Sequence, residues 1–203
     1  MEKELDLENT SYSFYTEMIE CIRSAINARD SYTAQHVDRV GNMTARVCEL
    51  IGISGNNREK ISLAAQLHDV GKIGIPDAVL NKPTRLSEEE WNVIKQHPVI
   101  GKDILCKSKY LSELEEIVLH HHERFDGLGY PGGLKADEIP VGSRIIAICD
   151  SIDAMTSDRA YRMALDMGTC RMEIEKNLGK MYDPVIGQFV LDHWDEVTYC
   201  VQR

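Results

Sequence analysis

The sequence has no stretch approaching the about 20 consecutive apolar residues that a membrane-spanning helix needs. Membrane insertion is therefore not expected. Its first ten residues, MEKELDLENT, are acidic and polar and do not read as a secretory signal, so the expected location is cytoplasmic. Basic charge is also short: 23 Lys and Arg stand against 33 Asp and Glu, a formal net charge of −10. Phosphate neutralisation needs clustered Lys and Arg, so the charge argues against a protein held on duplex nucleic acid by a basic face. A small anionic substrate is not, because metal ions held in a cleft can reverse the local sign. None of the six cysteines, Cys21, Cys48, Cys106, Cys149, Cys170 and Cys200, forms a Cys-x-x-Cys pair. They read as reduced, half-buried thiols and not as a disulfide framework. No period-two run of β-branched residues reaches five, and there is no internal repeat or low-complexity tract.

What remains is helix signal on a chain of 203 residues, 43% hydrophobic and 28% charged, values ordinary for a globular protein. One domain over residues 11–203 is expected after a polar segment, 1–10, that is too short for a sensory module. Either a stand-alone protein or a piece of a longer one fits this reading. A homodimer and a fused or separate signalling partner both stay open. Apolar positions recur every four residues through Phe14, Met18, Ile22 and Ile26. Val40, Met43, Val47 and Leu50 mark a second helix ending near Gly52. A third is expected over 57–69, with Gly71 as its C-terminal stop. Ser87 with Glu90, and Ser112 with Glu115, read as capping boxes. Ser143 is expected to cap the helix of Ile145, Ile148 and Ile152, and two more helices follow around Cys170 and Phe189. The conspicuous loop is FDGLGYPGGLKADEIP, residues 125–140, with four glycines and two prolines. The fold class is all-α: a helical bundle with one long structured loop.

Several of the seven histidines lie on apolar stripes. His36 extends the buried face of Val40 and Met43. His68 and Asp69 adjoin at the end of the third helix. His97 precedes Pro98, where a helix must stop or kink. His121 and His122 continue the stripe of Leu114, Ile117 and Val118. Asp150 lies in a helix apolar on nearly every side, and a carboxylate there is costly unless paired or ligated. Each has an innocent reading alone, as a hydrogen-bonded core histidine or a paired acid. Together, that many inward imidazoles and carboxylates call for a cation, and the mixture suits Zn, Mn and Fe.

The segments HDVGKIGIP, 68–76, and HHERFDGLGYP, 121–131, resemble the HD-GYP signature. RDSYTAQHVDRV, 29–40, and CDSIDAMTSDRAYR, 149–162, are similar to that family's flanking motifs, and the likeness extends over about residues 15–192. The resemblance implies an HD-domain helical bundle and a metal-dependent phosphodiesterase that opens cyclic di-GMP to pGpG, and on a second round to GMP, by a hydroxide held between two metals. It implies one metal on His36, His68, Asp69 and Asp150, with Asp69 shared with a second on His97, His121 and His122. Iron or manganese is expected, with Zn, Ni or Mg in a given preparation. Some members add a third metal through a glutamate one turn before the first histidine; here that position is Tyr32, a poor ligand, so a dinuclear site is expected. Asp69 and Lys72 carry the catalytic roles. Lys72, Arg159, Arg162 and Tyr130 are expected to bind substrate, with Phe125 as an alternative to Tyr130 for base stacking. Arg159 and Arg162 could instead form surface salt bridges with Asp158 or Asp153. Glu123, Arg124 and Asp126 are expected to orient the ligands, and His120 to be a neighbour of the site or a surface residue. Two further readings of the resemblance are a receptor that binds the dinucleotide without cleaving it, and an enzyme for cyclic GMP-AMP or another nucleotide.

Overall fold

The computed structural model describes residues 17–26, 28–29, 33–158 and 163–201. Residues 17–26 are helical (α1). There follow α2 (Thr33–Leu50), α3 (Gly55–Leu67), α4 (Asp77–Leu80), α5 (Glu88–Ile94), α6 (His97–Leu105), α7 (Glu115–Leu119), α8 (Val141–Thr156), α9 (Met167–Lys176), α10 (Pro184–Asp192) and α11 (Trp194–Thr198). Short 3-10 segments cover Val70–Gly74, Ser112–Leu114 and Ala136–Glu138. No strand occurs among the described residues, where Leu178 and Tyr182 form an isolated bridge. The architecture is the all-α bundle that the periodicity indicates.

The framework is α2 packed against α3 on one side and α8 on the other, with α6 laid against the Val70–Gly74 segment and α7. The stripe of Val40, Met43 and Val47 is wholly buried, as are Ala64, Ala65 and Leu67 of α3 and Ile145, Ile146, Ile148 and Ile152 of α8. Burying each large aliphatic side chain contributes about 1.5–3 kcal/mol, so these three helices are held in a fixed relation. That relation aims the polar residues at their ends.

Several local expectations change form. The capping box at Ser87 is complete: Ser87 Oγ accepts from Glu90 N, and the Glu90 carboxylate accepts from Ser87 N. Ser112 caps nothing; its hydroxyl donates to Lys109 O at 3.3 Å, and α7 begins after a 3-10 turn. Ser143 lies inside α8, which starts at Val141, and its buried hydroxyl donates to Ile117 O at 2.8 Å, tying α8 to α7. Gly71 does not end a helix in the left-handed conformation. α3 stops at Leu67, and Gly71 lies in the 3-10 segment pressed onto α6, where a Cβ would fall 1.8 Å from His97 O. The space a missing side chain leaves is what this position requires.

Candidate metal centre

Four histidines have their tautomer decided by a neighbour. His68 Nδ1 lies 2.7 Å from Ala65 O, His97 Nδ1 2.9 Å from Ile94 O, and His121 Nδ1 2.5 Å from Val118 O. A carbonyl only accepts, so each Nδ1 carries the proton and donates it. The acceptors belong to the last turns of α3, α5 and α7, where helix carbonyls lack an intrahelical partner. His36 Nδ1 donates instead to Asp153 Oδ2 at 2.7 Å. In each of these rings the neutral form leaves a bare lone pair on Nε2.

Those lone pairs converge on Asp69. Its Oδ2 is 3.4 Å from His68 Nε2 and 3.9 Å from His36 Nε2, and its Oδ1 is 3.3 Å from His97 Nε2. Asp150 Oδ1 lies 3.4 Å from His36 Nε2 and 4.0 Å from His68 Nε2. The ligand atoms of His36, His68 and Asp69 form one compact set, and those of His97, His121 and His122 a second. The structure thus brings together all seven residues expected to be ligands. His36, His68, Asp69, His97 and His121 are buried, whereas Asp150 and His122 are half-buried.

Two features show that a cation fits. His97 Nε2 and His121 Nε2 face each other at 3.2 Å, although both rings have their proton on the other nitrogen. Two bare lone pairs at that distance repel unless something positive lies between them. His68 Nε2 is buried with no hydrogen-bond partner, a condition that costs free energy unless the atom is ligated. Burial pulls the His68 pKa down, but the carboxylates of Asp69 and Asp150 outweigh it and push it up to about 9. Burial drives His122 down to about 3, helped by the His97 ring. His97 and His121 are lowered first by burial, so the second set stays neutral and able to ligate at neutral pH. Burial would raise the Asp69 pKa, but the Lys72 ammonium, 2.7 Å from Oδ2, and the His68 and His97 rings hold it well below the usual range.

Of the expected substrate-binding residues, Lys72 stands beside Asp69, and the Tyr130 ring lies against His122 with centroids 4.9 Å apart. Arg159, Arg162 and Tyr32 lie outside the described residues. Their suggested partner Asp153 is fully buried and bonded to Arg39 and His36, which removes it as a surface partner, and Asp158 accepts from Ala164 N. Glu123, Arg124 and Asp126 do not bond the imidazoles of either set. Glu123 Oε1 accepts from Gly132 N and Gly133 N at 2.6 and 3.1 Å, Arg124 grips Asp126, and Asp126 accepts from Leu128 N. They pin the 125–140 loop, which also bonds Lys180 O through Asp126 N. His120 is buried, 3.4 Å from Glu116 and 3.5 Å from Glu123. The sequence reading took Asp153 only as a surface partner and passed over Arg39. A second acid three residues after Asp150 in an apolar helix is itself the signal, since it too needs a partner.

The HD domain family model matches residues 20–186, most of the chain and every residue of the two sets. The chain belongs to the HD domain family. Among curated relatives, a cyclic di-GMP phosphodiesterase of Thermotoga maritima is 41% identical over 97% of this chain and 56% of its own length. A 3′3′-cGAMP-specific phosphodiesterase of Vibrio cholerae is 37% identical over 95% of this chain and 36% of its own. The chain therefore spans about half or less of these relatives' length. The crystal structure of a cyclic GMP-AMP-specific phosphodiesterase from V. cholerae superposes with a TM-score of 0.68 at 15% identity, over 92% of this chain and 50% of that one. It shares the HD fold. No described helix is long and apolar enough to cross a membrane.

Proposed function

We propose that this chain is a metal-dependent phosphodiesterase that hydrolyses cyclic di-GMP to linear pGpG, and on a second round to GMP. Its centre would be dinuclear: His36, His68, Asp69 and Asp150 would hold one divalent cation, and His97, His121 and His122, sharing Asp69, the other. The mixed imidazole and carboxylate donors suit iron or manganese. The observation that carries the reading is the division of Asp69, with Oδ1 toward His97 and Oδ2 toward His68 and His36. When bound, the pair of cations supplies a water of lowered pKa and positive charge for the phosphate.

The protein's own groups do the rest. The carbonyls of Ala65, Ile94 and Val118 hold three rings with Nε2 inward, so no reorientation is needed when ligand charge develops. Lys72, beside Asp69, is a fixed positive group for a phosphate oxygen as negative charge grows. Tyr130, packed on His122, offers an aromatic face at the mouth of the centre, suited to stacking a base. Arg159 and Arg162 are assigned to the second phosphate on their motif alone, as an orienting grip.

The test is anaerobic loading of the full chain with iron or manganese, metal analysis, and incubation with cyclic di-GMP and 3′3′-cyclic GMP-AMP. Linear pGpG at two metals per chain is expected. Preference for the hybrid would transfer the reading to that substrate, and binding without a linear product would leave a receptor. Asp69→Ala should lose both metal and turnover; unchanged metal content and activity in that variant would refute the shared carboxylate.

A further inference from the structure

His36 is held differently from three other ligand candidates. His68, His97 and His121 lean on neutral backbone carbonyls supplied by helix C-termini. His36 has no such recourse. It lies in the first turns of α2 (Thr33–Leu50), and a helix N-terminus presents spare N–H donors, not carbonyls. An acceptor for its Nδ1 must come from another element. α8 supplies it as Asp153, fully buried, with Oδ2 2.7 Å from His36 Nδ1. The carboxylate is itself fixed: Arg39 Nε bonds Oδ1, and Arg39 Nη2 reaches Oδ2 at 3.1 Å and Ser157 Oγ at 3.0 Å. Arg39 comes from the same helix as His36, one turn on. The bond therefore also sets the register of α2 against α8, which carries Asp150 three residues before Asp153.

We infer that Asp153, clamped by Arg39, is the positioning residue for one of the two metals: it holds His36 with Nε2 inward, makes that imidazole a stronger donor, and so selectively sets affinity at the position of His36, His68, Asp69 and Asp150. A carboxylate hydrogen-bonded to a ligating imidazole raises its basicity and fixes its direction, and removing such a partner weakens metal binding about 10- to 100-fold. Among the described residues, the Asp153 carboxylate bonds His36, Arg39 and Ser157. None reaches His97, His121 or His122, so the effect falls on one metal of the pair.

The inference rests on the dinuclear reading above, and its test separates the two. Full-length wild type, Asp153→Asn and the double variant Asp153→Asn with Arg39→Met are titrated with Mn(II) and then with a chelator, and metal per chain is counted by elemental analysis. The double variant avoids leaving the Arg39 charge unpaired. Wild type binding no metal would defeat the dinuclear reading itself. With wild type binding two, the expected variant result is one dissociation constant weakened about 10- to 100-fold and the other unchanged. Two unchanged constants, or two weakened equally, would overturn the inference and leave Asp153 as a clamp between α2 and α8. A second measurement needs no variant to fold. In the Zn(II)-loaded wild type, 15N–1H spectra of the imidazoles should show His36 protonated at Nδ1, with the most downfield Nδ1 proton of the cluster. A His36 ring protonated at Nε2 would overturn the inference as well.

Discussion

Gly71→Ala should dismantle the metal centre without replacing a ligand. A Cβ at position 71 would lie 1.8 Å from His97 O and 2.5 Å from Gly101 N, both backbone atoms of α6. Contacts under 3.0 Å are essentially never seen for a real Cβ, so the Val70–Gly74 segment and α6 must part by about 1.2 Å, the 3.0 Å limit less the 1.8 Å available. Asp69 leads into the first element and His97 opens the second. Their ligand atoms, 3.3 Å apart, would move by up to that amount, to about 4.5 Å at the limit. Two atoms each about 2.1 Å from one ion cannot be more than about 4.2 Å apart, so Asp69 and His97 could no longer share a cation. The overpacking itself costs about 1–3 kcal/mol, and a displacement of about 1 Å at a catalytic centre costs turnover about 100-fold. Metal analysis, thermal unfolding and the cyclic di-GMP assay read the three effects separately. Gly101→Ala is the control. Its Cβ would meet Val118 Cγ1 at 3.2 Å and Val70 Cγ1 at 3.3 Å, methyls that need give only a few tenths of an ångström. The helix-propensity gain of about 1 kcal/mol offsets that crowding, so metals and turnover should persist. A Gly71→Ala protein with two metals and undiminished turnover would refute the reasoning.

Lys72→Ala should keep both metals while turnover falls about 10²- to 10³-fold, the usual cost of removing one electrostatic contact to the transition state; unaltered turnover would make Lys72 structural. Ser87→Ala removes the capping box on the exposed start of α5 and should cost about 1 kcal/mol in thermal or denaturant unfolding. Its metal content and hydrolysis should match wild type, since α5 meets the centre through the Ile94 carbonyl at its far end.

The parts of the fold legible in the sequence are those decided locally. The α2 stripe shows in its own spacing, and the Ser87–Glu90 box has both its partners within one turn of chain. Ser112, with the same Ser-x-x-Glu signature, and Ser143, expected as a simple cap, spend their hydroxyls elsewhere, Ser143 on a carbonyl 26 residues away. No window along the chain contains that partner. Gly71 fails as a predicted helix stop for a related reason: its smallness answers to α6, not to its own backbone conformation. The candidate ligand positions stand out in the sequence because imidazoles and acids on apolar stripes are conspicuous, and the structure gathers them into two groups that could hold a metal. The loop residues Glu123, Arg124 and Asp126 were legible as a motif, but their geometry shows them bonding the loop's own backbone and one another.

The placement of the histidines follows from how helices end. α3, α5 and α7 all stop at the centre, and each leaves carbonyls that the helix cannot satisfy. A histidine three residues past such a carbonyl satisfies it through Nδ1 and is thereby forced to present Nε2 to whatever lies beyond. One hydrogen bond both caps the helix and prepares the ligand, so these three positions need no further protein group. A helix that begins at the centre offers the opposite polarity. α2 does so, and its His36 is the imidazole that draws on a buried carboxylate with its own arginine. Helix direction therefore dictates which ligand carries an ionised partner. The resulting difference between the two sets is a consequence of chain polarity before it is a matter of metal choice.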